Sequence, residues 1–448
     1  MAGTILDAPR TLPHQNRWWS SNTAITLTFV LASIALAWPR FPFIWDDSHY
    51  YIAMAGGHDE PLVKPFANRI LLPFLAAAIQ HLLSVSLNAS FEIIAISALA
   101  IWGATLIPLW RCLNFTHGYR ALLVLLSPIV LVAFETVHIP DMLHMAGVAL
   151  FFYFARRRCV VVSALVIIVL ITIRESSLAL SAVAVVCLLW RREFASALVI
   201  IAASAVGLAL VHAFAPTASN IHKMSDALYF LLKVPANLLH NLLGIALWTD
   251  TFQWCKTPSF RIPVPAGISL GQIREIGFCR PELFQPSLTL ASLAAFGVLP
   301  AFLAHALLSQ RRSNPLLGQT TWWLIAFWYG SLMSLLGPVS GTAVLRLIAY
   351  GWPLFVIALP RLYVSEDSRL KSSTIQLGIL HLIALWLPYL ILEIDWSTIG
   401  GLNLPNFSFS TSASLVATAI NFTANGLTYR ALRSIAASTG RGTLGVGS

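Results

Sequence analysis

The chain has 448 residues, 57% of them hydrophobic and 10% charged, with a mean hydropathy of +0.76. Soluble domains carry about 45–50% apolar and about 25% charged residues, so this composition excludes an ordinary soluble fold and points to an integral membrane protein. The net charge of +10 does not signal nucleic-acid binding: membrane proteins collect Lys and Arg in cytoplasmic loops, and no basic, aromatic-interleaved stretch is present.

In chain order, the polar segment 1–21 carries Arg10 and Arg17 and leads into an apolar run at 22–40. That run reads as an uncleaved first span rather than a signal h-region, because the segment ahead of it is long and acids follow it directly. The acids are Asp46 and Asp47, in Trp45-Asp46-Asp47-Ser48-His49-Tyr50-Tyr51. Adjacent carboxylates beside a bilayer are costly unless they face water or a partner, so they read as functional. One of them could serve as general base on an acceptor hydroxyl, with its neighbour raising its pKa or helping to bind a cation. The competing reading is a solvated loop start in which Asp47 or Ser48 caps a helix. Residues 50–55 followed by Gly56 and Gly57 predict a short amphipathic helix closed by glycine. His49, His58, Asp59 and Glu60 fit no common metal cage and read as solvated loop.

A crossing helix needs about 20 apolar residues, and about twelve such runs are present on that criterion. They lie near 22–40, 91–110, 120–135, 141–155, 159–173, 177–190, 195–214, 287–308, 320–337, 342–360, 374–392 and 413–430. The stretch 69–87 is apolar enough to be another. Reading it instead as a helix along the outer interface puts every basic cluster, including Arg156–Arg158 and Arg191/Arg192, on the cytoplasmic side. The predicted class is an all-α polytopic bundle with an outward-facing cavity. Residues 22–433 form a single transmembrane domain, with both termini cytoplasmic and a disordered tail at 434–448. Most Asp and Glu fall in the outer segments, above all the loops 41–68 and 215–286. In the long loop, apolar positions at helical spacing through Asp226–Lys233 and from Asn237 predict one or two surface helices. Pro258, Pro263 and Pro265 mark irregular loop. Of the five cysteines, Cys255 and Cys279 share that loop, and a disulfide between them is one of two open alternatives.

Three further constellations could carry chemistry. His138, Asp141 and His144 are spaced by three, on one face of a helix opening at Pro140. They could orient an acceptor or hold a divalent cation, the one cofactor this set admits; the alternative is an acid favoured by the helix dipole. Arg174-Glu175 could be a mutual salt bridge, or Arg174 could face the cavity and bind phosphate. Arg346 lies inside an apolar run, where a charge must meet protein, water or an anion; its guanidinium suits phosphate. Arg69 is a weaker candidate for that role. No P-loop, GxGxxG, GxSxG or HExxH motif is present, which favours a lipid-linked donor over a nucleotide sugar.

The run from Trp45 to Gly57, with the Lys64-Pro65-Phe66 and Arg69-x-x-x-Pro73 that follow, resembles the first outer loop of the GT-C superfamily of integral-membrane glycosyltransferases. The match covers Asp46, Asp47, Tyr50, Tyr51, Pro65, Phe66, Arg69 and Pro73, within the first 75 residues or so. The resemblance implies sugar transfer from a polyprenyl-phosphate donor to a glycan, lipid or protein acceptor on the outer face. It implies that the acidic motif supplies the base and that Asp141 stands where these enzymes often carry a second acid. The family's usual Asp-Glu is Asp-Asp here; spacing to Tyr51 favours Asp47 over Asp46. A single displacement would invert the anomeric carbon. The rival expectation is a multi-pass lipid or solute transporter, which would place charged or broken-helix sites near mid-membrane.

Overall fold

The computed structural model describes residues 22–38, 42, 47–57, 62–111, 128–217, 219–220, 234–235, 237–239, 245–249, 258–263, 273–279, 296–309, 320–340, 347–359, 377–384 and 411–442. It is predominantly helical. The first helices are α1 (Asn22–Ala37), α2 (Ser48–Gly56), α3 (Leu71–Leu83), α4 (Leu87–Arg111) and α5 (Pro128–Glu135). A central group follows: α6 (Asp141–Arg156), α7 (Val160–Ile173), α8 (Ser177–Trp190) and α9 (Phe194–Phe214). Later come α10 (Leu299–Ser309), α11 (Thr321–Ser340), a 3₁₀ turn (Ala349–Gly351) running into a π-turn (Leu354–Ala358), and α12 (Thr411–Gly442). Among the described residues, two helices, over Leu87–Leu109 and Phe194–Phe214, are long and apolar enough to cross a membrane. α12 continues to Gly442, past the point where the sequence predicts a disordered tail; Ala431, Ala436 and Ala437 extend a helix readily.

The physics of α7 explains the class. Its sequence is dense in Val and Ile, which lose side-chain freedom in a helix. A segment with no polar neighbours must satisfy its own backbone, and a helix does so within one segment. Its buried face carries Ala164, Ile167 and Leu170, while Val161, Leu165 and Val169 stand outward. Apolar residues therefore surround it on all sides. α9 sorts by size instead. Ala197, Ile200, Ala203 and Gly207 face the bundle, and Leu198, Ile201, Val206 and Leu208 face out. Small residues let helix backbones approach.

Chain direction gives the bundle two distinguishable ends. Asp141 begins α6 and Arg156 ends it; 16 residues span about 24 Å. α7 returns to Arg174, and α8 runs back to Arg191 and Arg192. Thr321 at the start of α11 donates to Glu193 (2.6 Å), so α11 starts at this second end and rises toward the first. Trp323 correspondingly donates to the Ala358 carbonyl at 3.0 Å. α3 does not traverse the bundle. Arg69, just before it, bonds Glu175, while Asn88, just after it, bonds His138 at 3.2 Å, so both its ends lie at the Asp141 end. The strand β1 (Val63–Lys64) pairs in parallel with β2 (Ser219–Asn220), bringing the 41–68 and 215–286 loops together at that same end.

The long loop also holds a sheet that the sequence analysis does not predict. β3 (Ile245–Thr249), β4 (Pro258–Pro263) and β5 (Ile273–Cys279) are antiparallel in the order β3-β5-β4. Leu247, Ile276 and Ile262 align across it. Pro258 and Pro263, two of the prolines that read as irregular loop, bound β4, an edge strand, where a missing N–H is tolerated. The predicted Asp226–Lys233 helix and the Cys255–Cys279 pair fall wholly or partly outside the described residues; Cys279 ends β5.

Candidate functional site

The site is built where α2, the turn before α3, the start of α6, the α7–α8 turn and the 3₁₀ turn meet. α2 holds nine residues and ends as its sequence predicts, with Gly57 left-handed at φ +67° and its N–H on the Ala53 carbonyl. Asp47 occupies the N-cap position without capping the helix through its side chain, and is half-buried. Asp46 and Arg346 lie outside the described residues.

One turn on from Asp47, Tyr51 is fully buried and accepts a hydrogen bond from Arg69 Nη1 at 2.9 Å. Phe66 fixes this corner. It stacks on Tyr50 (4.7 Å, 10° between planes), meets Tyr51 edge-on at 6.0 Å and lies 5.5 Å from the Arg69 guanidinium carbon. Arg69 then reaches across the bundle to Glu175: Nε to Oε2 is 2.9 Å and Nη2 to Oε1 2.5 Å. This fork-to-fork geometry is the strong form of an Arg–carboxylate pair. Burial works against the Arg69 charge, and Glu175 with Tyr51 more than offsets it, raising its pKa well above the usual value. Burial pushes Glu175 up, but the charges of Arg69 and Arg174 and the Arg69 hydrogen bonds win and bring it to about 2. Tyr51 moves up, chiefly through burial, against the pull of Arg69.

Arg174, the adjacent residue, turns to a different partner. Its Nη1 meets Asp141 Oδ1 at 2.5 Å and also hydrogen-bonds the Tyr350 hydroxyl, which in turn donates to Asp141 Oδ1. The Arg174 guanidinium carbon lies 4.5 Å over the Tyr350 ring. These side chains are 7% and 2% exposed, against 44% for Glu175. The Arg69–Glu175 pair is thus partly solvated and weaker for stability than the buried Arg174–Asp141 pair is costly to break.

The sequence expectations change here in three ways. Arg174 and Glu175 do not form a mutual bridge; consecutive residues point to opposite sides of the turn and pair with α6 and with the segment before α3. His138 does not share the α6 face, because the helix opens at Asp141 and His138 stands in the turn ahead of it. There its Nε2 faces Asn88 and its ring packs on Phe91 at 4.9 Å. Burial pushes its pKa down. The divalent-cation reading of His138, Asp141 and His144 finds no support: no group of three or more His, Cys, Asp or Glu is placed to hold a metal among the described residues. Asp141 is committed to Arg174 and Tyr350, and His144 stacks edge-on against Tyr350 at 5.0 Å. Of the expected donor-phosphate ligands, Arg69 donates to Glu175 and Tyr51, and Arg174 donates through Nη1 to Asp141 and Tyr350 while its Nε has no hydrogen-bond partner.

Tyr350 and Tyr329 went unnoticed in the sequence. A signal for Tyr350 existed: it follows Arg346 by four residues in the same apolar run, so a helical reading puts both on one face. Comparison with protein-family models and with curated proteins gave no match to this chain.

Proposed function

We propose that the chain is a multi-pass membrane glycosyltransferase of the GT-C kind, moving a sugar from a polyprenyl-phosphate donor to an acceptor at the outer membrane face. One observation carries this reading: the charges are segregated. Arg69, Asp141, Arg174 and Glu175 gather at one end of the bundle, with Asp47 one turn from Tyr51, and Arg156–Arg158 with Arg191/Arg192 lie at the other. Cytoplasmic bias of Lys and Arg makes the first end the outer one. The outward Val, Leu and Ile of α7 and α9 suit lipid. On this reading the protein has about twelve spans, α3 lies along the outer interface, and both termini are cytoplasmic.

In the reaction, an aspartate of the Asp46/Asp47 pair removes the proton of the acceptor hydroxyl as its oxygen attacks the anomeric carbon. The bond to the donor phosphate breaks and the lipid phosphate leaves with the electron pair, inverting the anomeric centre. Arg346 is the cation that meets the charge developing on that phosphate. Arg69 acts as a positioning residue: through Tyr51 it anchors the helix that Asp47 begins.

The test is to incubate the purified protein with a panel of polyprenyl-phosphate sugars and follow release of the lipid phosphate. Asp47→Asn should cost about 10²–10⁴-fold in rate, the usual contribution of a general base, while expression stays intact. Full activity in Asp46→Asn, Asp47→Asn and the double variant would refute the mechanism.

A further inference from the structure

Two turns at the Arg156 end of the bundle are built alike. After α6, Arg158 is left-handed at φ +58°; its N–H bonds the Ala155 carbonyl at 3.1 Å, and the Cys159 N–H bonds the Phe154 carbonyl at 3.1 Å. After α8, Arg192 is left-handed at φ +60°; its N–H bonds the Leu189 carbonyl at 2.9 Å, and the Glu193 N–H bonds the Leu188 carbonyl at 2.8 Å. Each is a Schellman turn, which favours glycine at the left-handed position. Both place an arginine there instead, directly after another, Arg157 or Arg191, and all four are exposed. The two turns are also neighbours. α7 and α9 begin directly after them, run in the same direction and pack together. A Cβ at Gly207 would lie 3.0 Å from Ile171. Ile171 is eleven residues past Val160 and Gly207 thirteen past Phe194, so the two helices begin within about 3 Å of one level, with axes about 8–10 Å apart.

Negative charge is scarce around these turns. Among the described residues no ion pair holds Arg156, Arg158 or Arg192, and Glu193 accepts a hydrogen bond from Thr321. The starts of α7 and α9 add the positive ends of two helix dipoles, and neither Cys159 nor Glu193 caps its helix through its side chain. A phosphate at either turn would therefore meet guanidinium forks and a helix N-terminus together. Beside the charges the surface is apolar: Val161 and Leu165 on α7 and Phe194 and Leu198 on α9 are all exposed. A soluble anion needs no such wall. A lipid does, with its phosphates at the turns and its acyl chains along the helices.

We propose that the twin arginine turns bind a phospholipid carrying two phosphates, one at each turn, in the leaflet opposite the Asp141 end. This rests on the membrane placement of the bundle and uses none of the sugar-transfer chemistry. The experiment is native mass spectrometry of the full-length protein released from neutral detergent micelles. The protein is titrated with tetraoleoyl diphosphatidylglycerol, dioleoyl phosphatidylglycerol, dioleoyl phosphatidylcholine and inorganic phosphate. Diphosphatidylglycerol should bind roughly tenfold more tightly than the single-phosphate lipid, and neither phosphatidylcholine nor inorganic phosphate should displace it. Arg158→Gly with Arg192→Gly eases both left-handed positions, so it keeps the fold while removing two charges. It should weaken diphosphatidylglycerol roughly 25-fold. Arg157→Gln with Arg191→Gln should act in the same direction and leaves both turn conformations untouched. Equal affinity for the two anionic lipids, displacement by inorganic phosphate, or unchanged affinity in either double variant overturns the site. Such failure alongside intact release of lipid phosphate from a sugar donor leaves the glycosyltransferase reading standing. Binding of diphosphatidylglycerol without release from any donor unseats that reading and leaves the site.

Discussion

Arg69 and Arg174 are both buried and both paired, but their pairs differ in what solvent reaches them. Asp141→Ala leaves the Arg174 charge enclosed with only Tyr350 and the ring face beside it. Breaking a buried pair in this way costs about 3–5 kcal/mol, so the thermal midpoint in detergent should fall sharply. Glu175→Ala should cost clearly less, since its side chain is 44% exposed; equal losses would contradict the exposure difference. Glu175 also sets a pH dependence. Its folded pKa of about 2 lies below the unfolded value of about 4.3. The stabilisation is therefore complete above the unfolded value and is lost as pH falls through the folded one. The wild type should lose thermal stability across that acid window, and Glu175→Gln should lack this contribution. Parallel profiles for the two would sever the link.

At the level of elements, α11 and the turns after it show how closely backbones meet here. Gly330, Ser334 and Gly337 lie on one face of α11 at helical spacing. A Cβ at Gly337 would come within 2.9 Å of the Leu347 carbonyl, and one at Gly330 would collide with the Leu354 backbone. Gly330→Ala should push the Tyr350 segment away from α11, with a lower thermal midpoint and weaker transfer; normal values for both would show that the segment is free to shift. This contact explains which parts of the molecule could be read in advance. Helices such as α6, α7, α8 and α9 were legible within a residue or two, because unbroken apolar runs leave the backbone no other way to satisfy itself. Asp141, Arg174 and Arg69 stood out because charge inside apolar sequence is costly. Their pairing did not. Arg69 meets Glu175 across 106 positions of sequence, and Tyr350 meets Arg174 across 176. Neither local spacing nor propensity carries such distances. The β3-β5-β4 sheet was hidden because its prolines sit at strand ends, where they resemble loop punctuation.

For the whole molecule, the proposed orientation makes a prediction that needs no substrate. Cys159 is exposed beside Arg158. In sealed right-side-out vesicles a membrane-impermeant maleimide should leave it unlabelled, while a cysteine introduced by Glu60→Cys should react; labelling of both from one side would overturn the placement of α3 along the outer interface. A last consequence follows from the way neighbouring residues 174 and 175 serve separate clients. Exchange them, Arg174→Glu with Glu175→Arg, and amino-acid content, total charge and mean hydropathy stay the same. Yet the new acid would confront Asp141 and the new base would confront Arg69, turning two attractions into two repulsions at once. The molecule's integrity depends on word order, and a reader who counts only letters would score the scrambled chain as identical.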